Sequence, residues 1–237
     1  MLKAIFYPNS RNRTIYMTNL FVLMLYIGGS VSAATVLFSY FLETIIIGLF
    51  NALKMACAHK PNDSKEGYNK LGSILFFFAH YGGFVAIQSI FAFAFVSISG
   101  VKNMEPFDLP TNYALVIQQE NMWLLLLTLC ITHGYNFVMV YIKEERFMEV
   151  SPMEIMFAPY LRIFVQQFVV ILAGFFLFFE QESVAVVILL VVRTVVDIFI
   201  VEIRKESPVL DYAVAKLQRP EEWDEETFRK HIKSITE

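Results

Sequence analysis

Apolar residues run through this chain in long blocks separated by short polar stretches, without the stripe of an amphipathic helix or the alternation of a half-buried strand. The block from Leu71 to Gly100 is the most telling, since it carries no charge and exceeds the roughly twenty residues that cross a hydrocarbon core at 1.5 Å rise. It predicts a transmembrane helix with one histidine, His80, near its middle. An ionisable group at that depth is costly unless it faces protein or water, so His80 is a functional-site candidate.

The same pattern predicts five further spans. Ile15 to Ile27 follows a polar, basic start and leads into Gly28, Gly29 and small residues; a cleaved signal peptide would share these features, but the next apolar block follows at once, which favours a hairpin of two membrane helices. The second span is Ser32 to Ala58, followed by a polar loop, His59 to Lys70, with Pro61-Asn62-Asp63-Ser64 as turn chemistry. Val101 to Glu120 reads as an extramembrane loop with at most a short interfacial helix, and Asn121 to Ile142 as the fourth span. Ser151-Pro152-Met153-Glu154 has the residues of a capping box and predicts a short interfacial helix, which Pro159 should separate from a fifth span, Tyr160 to Phe179. The sixth runs from Ser183 to Ile203. The fold expected is therefore all-α, a six-helix transmembrane domain over residues 1–205. Residues 206–237 return to soluble composition and form a cytoplasmic tail, with Trp223, Phe228 and Ile232 on one stripe of an amphipathic helix.

Composition agrees: of 237 residues, 57% are hydrophobic and 16% aromatic, and mean hydropathy is +0.54, values of a membrane class. The net charge of −3 matters less than its placement. Lys3, Arg11 and Arg13, then Lys60, Lys65 and Lys70, then Lys143 and Arg146, then Arg204 and Lys205 all fall on one side of the predicted spans, whereas the opposite loops hold Lys102 among Glu105, Asp108, Glu120, Glu180 and Glu182. The positive-inside rule places both termini in the cytoplasm and the chain in the cell membrane. The bilayer is the expected partner, nucleic-acid binding has no support, and self-association into a homo-oligomer stays open. Cys57 and Cys130 fall in different spans and read as separate buried thiols.

Counting along the spans puts Glu43 roughly 18 Å and His80 roughly 15 Å into their helices, with His133, Gln166, Gln167, Arg193 and Asp197 at a similar level. Gly48, Gly82, Gly83 and Gly134 would let these helices approach closely. Three readings compete. One is a purely structural polar network. A second is a divalent metal site, zinc-like, with Glu43, His80, His133 and Asp197 as ligands, competent for hydrolysis of a small or lipid-derived substrate if one coordination position stays open. In it Arg193 orients Asp197, Asn51 and Arg162 line a cytoplasmic approach, and Tyr81, Asn136 and Gln166 surround the site. The third is a proton or ion path of a transporter or channel through the same residues. The metal reading is the one adopted at this level. No single-helix HxxxH or ExxH pair accompanies it, and each ligand comes from a different helix. Whether the protein is an enzyme stays open.

At these residues the chain resembles an uncharacterised prokaryotic family of polytopic membrane proteins, a domain of unknown function. The matching pieces are Glu43 with Gly48, Asn51 and Lys54; His80-Tyr81-Gly82-Gly83-Phe84; His133-Gly134 with Phe137; Tyr160 with Arg162; and Arg193-Thr194 with Asp197. Thr132, Arg193 and Val201 depart from the family pattern, where serine, lysine and histidine are usual. A missing histidine at Val201 counts against a metal site. The resemblance implies an integral membrane protein and no known activity.

Overall fold

The computed structural model describes residues 12–59, 69–98, 104–179, 181–203, 206–220 and 223–234. Lys3, Arg11, Lys60, Lys65, Lys102, Glu180, Arg204 and Lys205, on which much of the charge asymmetry rests, lie outside the described residues, as does the turn at Pro61-Asn62-Asp63-Ser64. Within them the chain is all-α: α1 (Arg13–Ile27), α2 (Ala33–Cys57), α3 (Lys70–Ile98), α4 (Leu109–Ile117), α5 (Met122–Asn136, continued by a π-helical Phe137–Ile142), α6 (Pro152–Phe178), α7 (Glu182–Ile203), α8 (Pro208–Lys216) and α9 (Glu225–Ser234). Five of these, α2, α3, α5 with its extension, α6 and α7, are long and apolar enough to cross a membrane, as a multi-pass membrane protein requires; α1, at 15 residues, is shorter.

Helix α2 is the hub. Buried residues make up 78% of its apolar window, against 17% to 41% for the other four, so α2 is surrounded while its neighbours turn one face outward. The outward faces are Phe- and Leu-rich, as at Phe76, Phe91, Phe164 and Phe168, which suits lipid and not water. One end of the bundle is tied by polar contacts: His59 N–H donates to the Phe147 carbonyl at 2.7 Å, Lys70 Nζ to the Ala58 carbonyl at 2.8 Å, and Tyr141 Oη to the Lys54 carbonyl at 2.8 Å.

The expected capping box forms, with Ser151 N–H on Glu154 Oε2 at 2.7 Å and Glu154 N–H on Ser151 Oγ at 3.3 Å. It opens a single 27-residue helix, however, and not a separate interfacial one: Pro159 sits inside α6 without ending it. The reason lies across the bundle. Proline lacks the N–H that would bond the carbonyl four residues back, at Ile155, and Asn51 Nδ2 on α2 donates to that carbonyl at 3.0 Å. Asn51 therefore supplies the hydrogen bond Pro159 removes.

Glycines divide in the same way. A Cβ at Gly48 would lie 2.4 Å from the Tyr81 ring, whose Oη donates to the Thr44 carbonyl at 2.7 Å, so α2 and α3 touch through a notch only glycine leaves open. Gly82 and Gly83 have nothing within 4 Å of where a Cβ would be and do not serve close packing among the described helices; they sit on the outward face of α3.

The tail forms two helices where one was expected. The missed one, α8, has its own sequence signal: Ser207 Oγ accepts from Val209 and Leu210 N–H at 3.2 Å, with Pro208 in the first turn. Phe228 and Ile232 of α9 pack with Val209, Leu210 and Ile198, and Trp223 leans on them from outside the helix. Arg229 and Lys233 fasten α9 to Glu206 and Asp211. The Lys233 ammonium hydrogen-bonded to Glu206 holds that carboxyl below its ordinary value.

Two expectations follow from these contacts. Asn51→Leu should cost about 1–3 kcal/mol in the parent and much less in a Pro159→Ala background, where the N–H is restored; thermal unfolding of the four proteins gives the coupling, and additive losses would refute the repair. Because Glu206 titrates lower when folded, its small contribution, under about 1 kcal/mol at an exposed site, is complete above the ordinary glutamate pKa and fades as pH falls toward the lowered value. Protease sensitivity of the tail should rise over that acidic window and not between neutral and alkaline pH.

Candidate functional site

Glu43, on the fourth turn-face of the most buried helix, is 2% exposed and far from either end of α2. A carboxylate there needs partners, and three other helices supply them. His133 Nε2 of α5 lies 2.7 Å from Glu43 Oε1, Arg193 Nη2 of α7 also 2.7 Å, and Arg162 Nη2 of α6 3.3 Å. Asp197, one turn beyond Arg193, meets the same two guanidiniums: Arg193 Nε reaches Oδ2 at 3.2 Å and Arg162 Nη2 reaches Oδ1 at 2.8 Å. Glu43, Arg193, Asp197 and Arg162 thus form a closed ring of alternating sign. Its formal charge is zero with His133 neutral. That balance is what a low-dielectric interior demands, because each unpaired ion would cost several kcal/mol.

All three donors to Glu43 converge on Oε1; Oε2 accepts from no described residue. Around the ring, the Tyr40 ring lies 4.0 Å from the Arg193 guanidinium carbon, and Gln166 donates its amide to the Tyr40 carbonyl. Tyr40 Oη donates to Asn19 Oδ1 at 3.2 Å, and Asn19 Nδ2 donates to Thr194 Oγ1 at 2.7 Å. Thr18 and Thr132 hydroxyls meet at 3.1 Å. Asn19, Thr18 and Tyr40 were not among the expected site residues. The two on α1 carried a readable signal, polar side chains within an apolar segment, whereas Tyr40 reads as one aromatic among many.

Two cavities flank the ring. One, of about 50 Å³, is polar and runs from Glu43 and His133 past Asn19, Thr132 and Asn136 to Thr14 in the first turn of α1. The other, of about 30 Å³, is walled by Val165, Val169, Val170, Leu189 and Val196 on one side and by Tyr40, Gln166 and all four ring residues, Glu43, Arg162, Arg193 and Asp197, on the other. At about 10–15 Å³ per water, the polar cavity takes a few waters and no larger solute.

The four residues expected to share a metal are not gathered into one set. Glu43 and His133 touch, and Asp197 is joined to Glu43 only through the two arginines. His80 lies on the outward face of α3, its Nδ1 2.6 Å from Tyr160 Oη and its ring stacked on Phe76. Among the described residues no three His, Cys, Asp or Glu side chains are grouped to hold a metal ion. Guanidiniums engage oxygens of both carboxylates, and a divalent cation would face two fixed positive charges. Tyr81 and Asn51 serve packing contacts instead, and Asn136 lines the polar cavity. Gln167 stays outside the ring, its buried amide without a partner among the described residues. Cys57 and Cys130, expected buried, are both exposed free thiols on outward faces, separate from one another as expected.

Removing one ring member should leave its neighbours as uncompensated charge. Glu43→Gln is expected to lower stability by about 3–5 kcal/mol, and His80→Phe by less than about 1 kcal/mol. Thermal unfolding in one detergent measures both; equal losses would contradict the ring.

No curated protein and no solved structure compared with the chain matches it. A family model does, over residues 1–222, which takes in the whole ring, both cavities and helix α8. The chain therefore belongs to DUF6498, a family of unknown function, and the residues of the ring stand without an inherited role.

Proposed function

We propose that the protein is a six-span protein of the cell membrane, both termini cytoplasmic, whose buried ring is a proton-binding station of a proton-coupled transporter or channel. One observation carries this reading: Glu43 presents Oε1 to three donors and keeps Oε2 without a partner among the described residues, while lining a cavity with room for a few waters. A carboxylate so placed can take a proton from a water chain. His133, hydrogen-bonded to the same carboxylate, lines the same cavity and is the second stop. The cavity extends to the first turn of α1, the end at which the positive-inside rule places the cytoplasm.

This reading displaces metal-dependent hydrolysis because of charge and space. A cation would have to displace at least one guanidinium from a ring already at zero, and the cavity beside it does not admit a lipid-derived substrate. Arg162 and Arg193 instead keep Glu43 from drifting as it charges and discharges.

The test uses proteoliposomes holding a pH-sensitive dye, with a potassium diffusion potential set by valinomycin. Potential-driven proton flux above that of empty vesicles is expected, lost in Glu43→Gln and reduced in His133→Ala. Flux equal to empty vesicles, or undiminished in Glu43→Gln, would overturn the proposal and leave the ring as a packing device.

A further inference from the structure

Three ring-bearing side chains of α5 and its extension face α2 at a spacing of four. His133 Nε2 lies 2.7 Å from Glu43 Oε1 and its ring stacks on Phe50; Phe137 lies 6.0 Å from the same Phe50 ring. Tyr141 stacks on Phe137, and its Oη donates to the Lys54 carbonyl at 2.8 Å. In an α-helix eight residues turn about 800°, so His133 and Tyr141 would point about 80° apart and could not both meet one helix squarely. They do meet it, because the chain from Phe137 to Ile142 is π-helical, with Lys143 N–H bonded to the Val138 carbonyl five residues back at 2.9 Å. A π turn holds one residue more than an α turn and rotates less per residue, which takes up the drift. Such turns are rare and collect at functional sites.

We infer that this π turn is a hinge on which α5 rotates, carrying His133 onto Glu43 in the π form and about 80° away from it in the α form. The two ends are held unequally. Tyr141 is 2% exposed, in a buried cluster with Met55, Phe77 and Ile155, and the Lys54 ammonium sits 5.5 Å from its ring. The part before the π turn is looser: α5 with its extension has 17% of its apolar window buried, the least of the five long helices, and its buried residues there are Met122, Leu125 and Leu129. Rotation therefore moves mainly surface that faces lipid, where burial favours no particular setting. Shifting the hydrogen bonds from five residues back to four keeps the backbone paired, as hydrocarbon requires. The movement reaches the ring. Glu43 Oε1 has three donors with His133 on it and two with His133 turned away, while Arg162 and Arg193 keep the charge balanced in both forms. The hinge rests on the proton-station reading for its purpose, since a stop that swings off the carboxylate separates taking a proton from passing it on.

The experiment places 4-fluorophenylalanine at Phe137, the first residue of the π segment, in the full chain in nanodiscs, and reads the fluorine-19 spectrum. Two lines, or one exchange-broadened line, are expected for the parent. Deleting Met139, an outward residue, leaves His133 and Tyr141 seven apart, about two full turns, so a plain α-helix meets both partners and the hinge is removed. That variant should fold, by size exclusion and thermal unfolding, and show one narrow line, yet carry proton flux close to that of empty vesicles. Tyr141→Phe keeps the chain length and loses the bond to Lys54, so it should move the balance of the two forms toward α about fivefold, the worth of one neutral hydrogen bond. A single narrow line from the parent, or a balance that Tyr141→Phe leaves unmoved, would overturn the hinge, and so would parental flux in the folded deletion variant. Flux absent from the parent itself would overturn the proton station and not the hinge, which the fluorine spectrum decides alone.

Discussion

A carboxylate in the interior of an apolar bundle persists only where positive charge and hydrogen bonds surround it, and much of this molecule is arranged to meet that condition for Glu43. The helix that carries it is the most enclosed of the five long ones. Two guanidiniums and an imidazole reach one of its oxygens, from three different helices, and Asp197 balances the second positive charge. Because these contacts join helices far apart in sequence, with 150 positions between Glu43 and Arg193, the ring fixes which helices are neighbours. Hydrophobic burial cannot do this in a membrane, where lipid is as apolar as leucine.

Much of the fold was legible because hydrocarbon leaves few alternatives. Spans longer than about eighteen apolar residues stand out in any apolar sequence, and the starts of α2 and α6 follow from Ser32 and the Ser151 capping box. What misled the reading was local chemistry solved at a distance. Pro159 looks like a helix end until Asn51, more than a hundred positions away, is seen to satisfy the carbonyl it frees. Gly82 and Gly83 look like packing glycines beside His80, yet they face outward, because α3 turns Tyr81 and not His80 toward α2. Depth along a helix can be counted from sequence; the side it faces depends on neighbours that sequence does not supply.

The candidate site divides along the same line. Glu43, His133, Arg193 and Asp197 could be placed at one level by counting, and they meet together with Arg162, which counting had put on a cytoplasmic approach instead. His80 was at the same level and does not, since one hundred degrees of helix rotation separates it from Tyr81. The charge arithmetic was also available beforehand, two acids and two bases, but the order of pairing was not. That order gives the ring its chemical character: alternating signs close on themselves, one carboxylate oxygen and one guanidinium nitrogen stay without partners among the described residues, and a polar cavity and a largely aliphatic one both border it.

The most direct measurement of the central claim is a carbon–nitrogen dipolar recoupling experiment by solid-state NMR, on protein labelled with carbon-13 at glutamate carboxyls and nitrogen-15 at arginine. The difference between parent and Glu43→Gln isolates one carboxyl. The account predicts strong dephasing of that signal by arginine nitrogen, as for an ion pair with heavy atoms within about 4 Å. A Glu43 carboxyl that arginine nitrogen leaves untouched would contradict it.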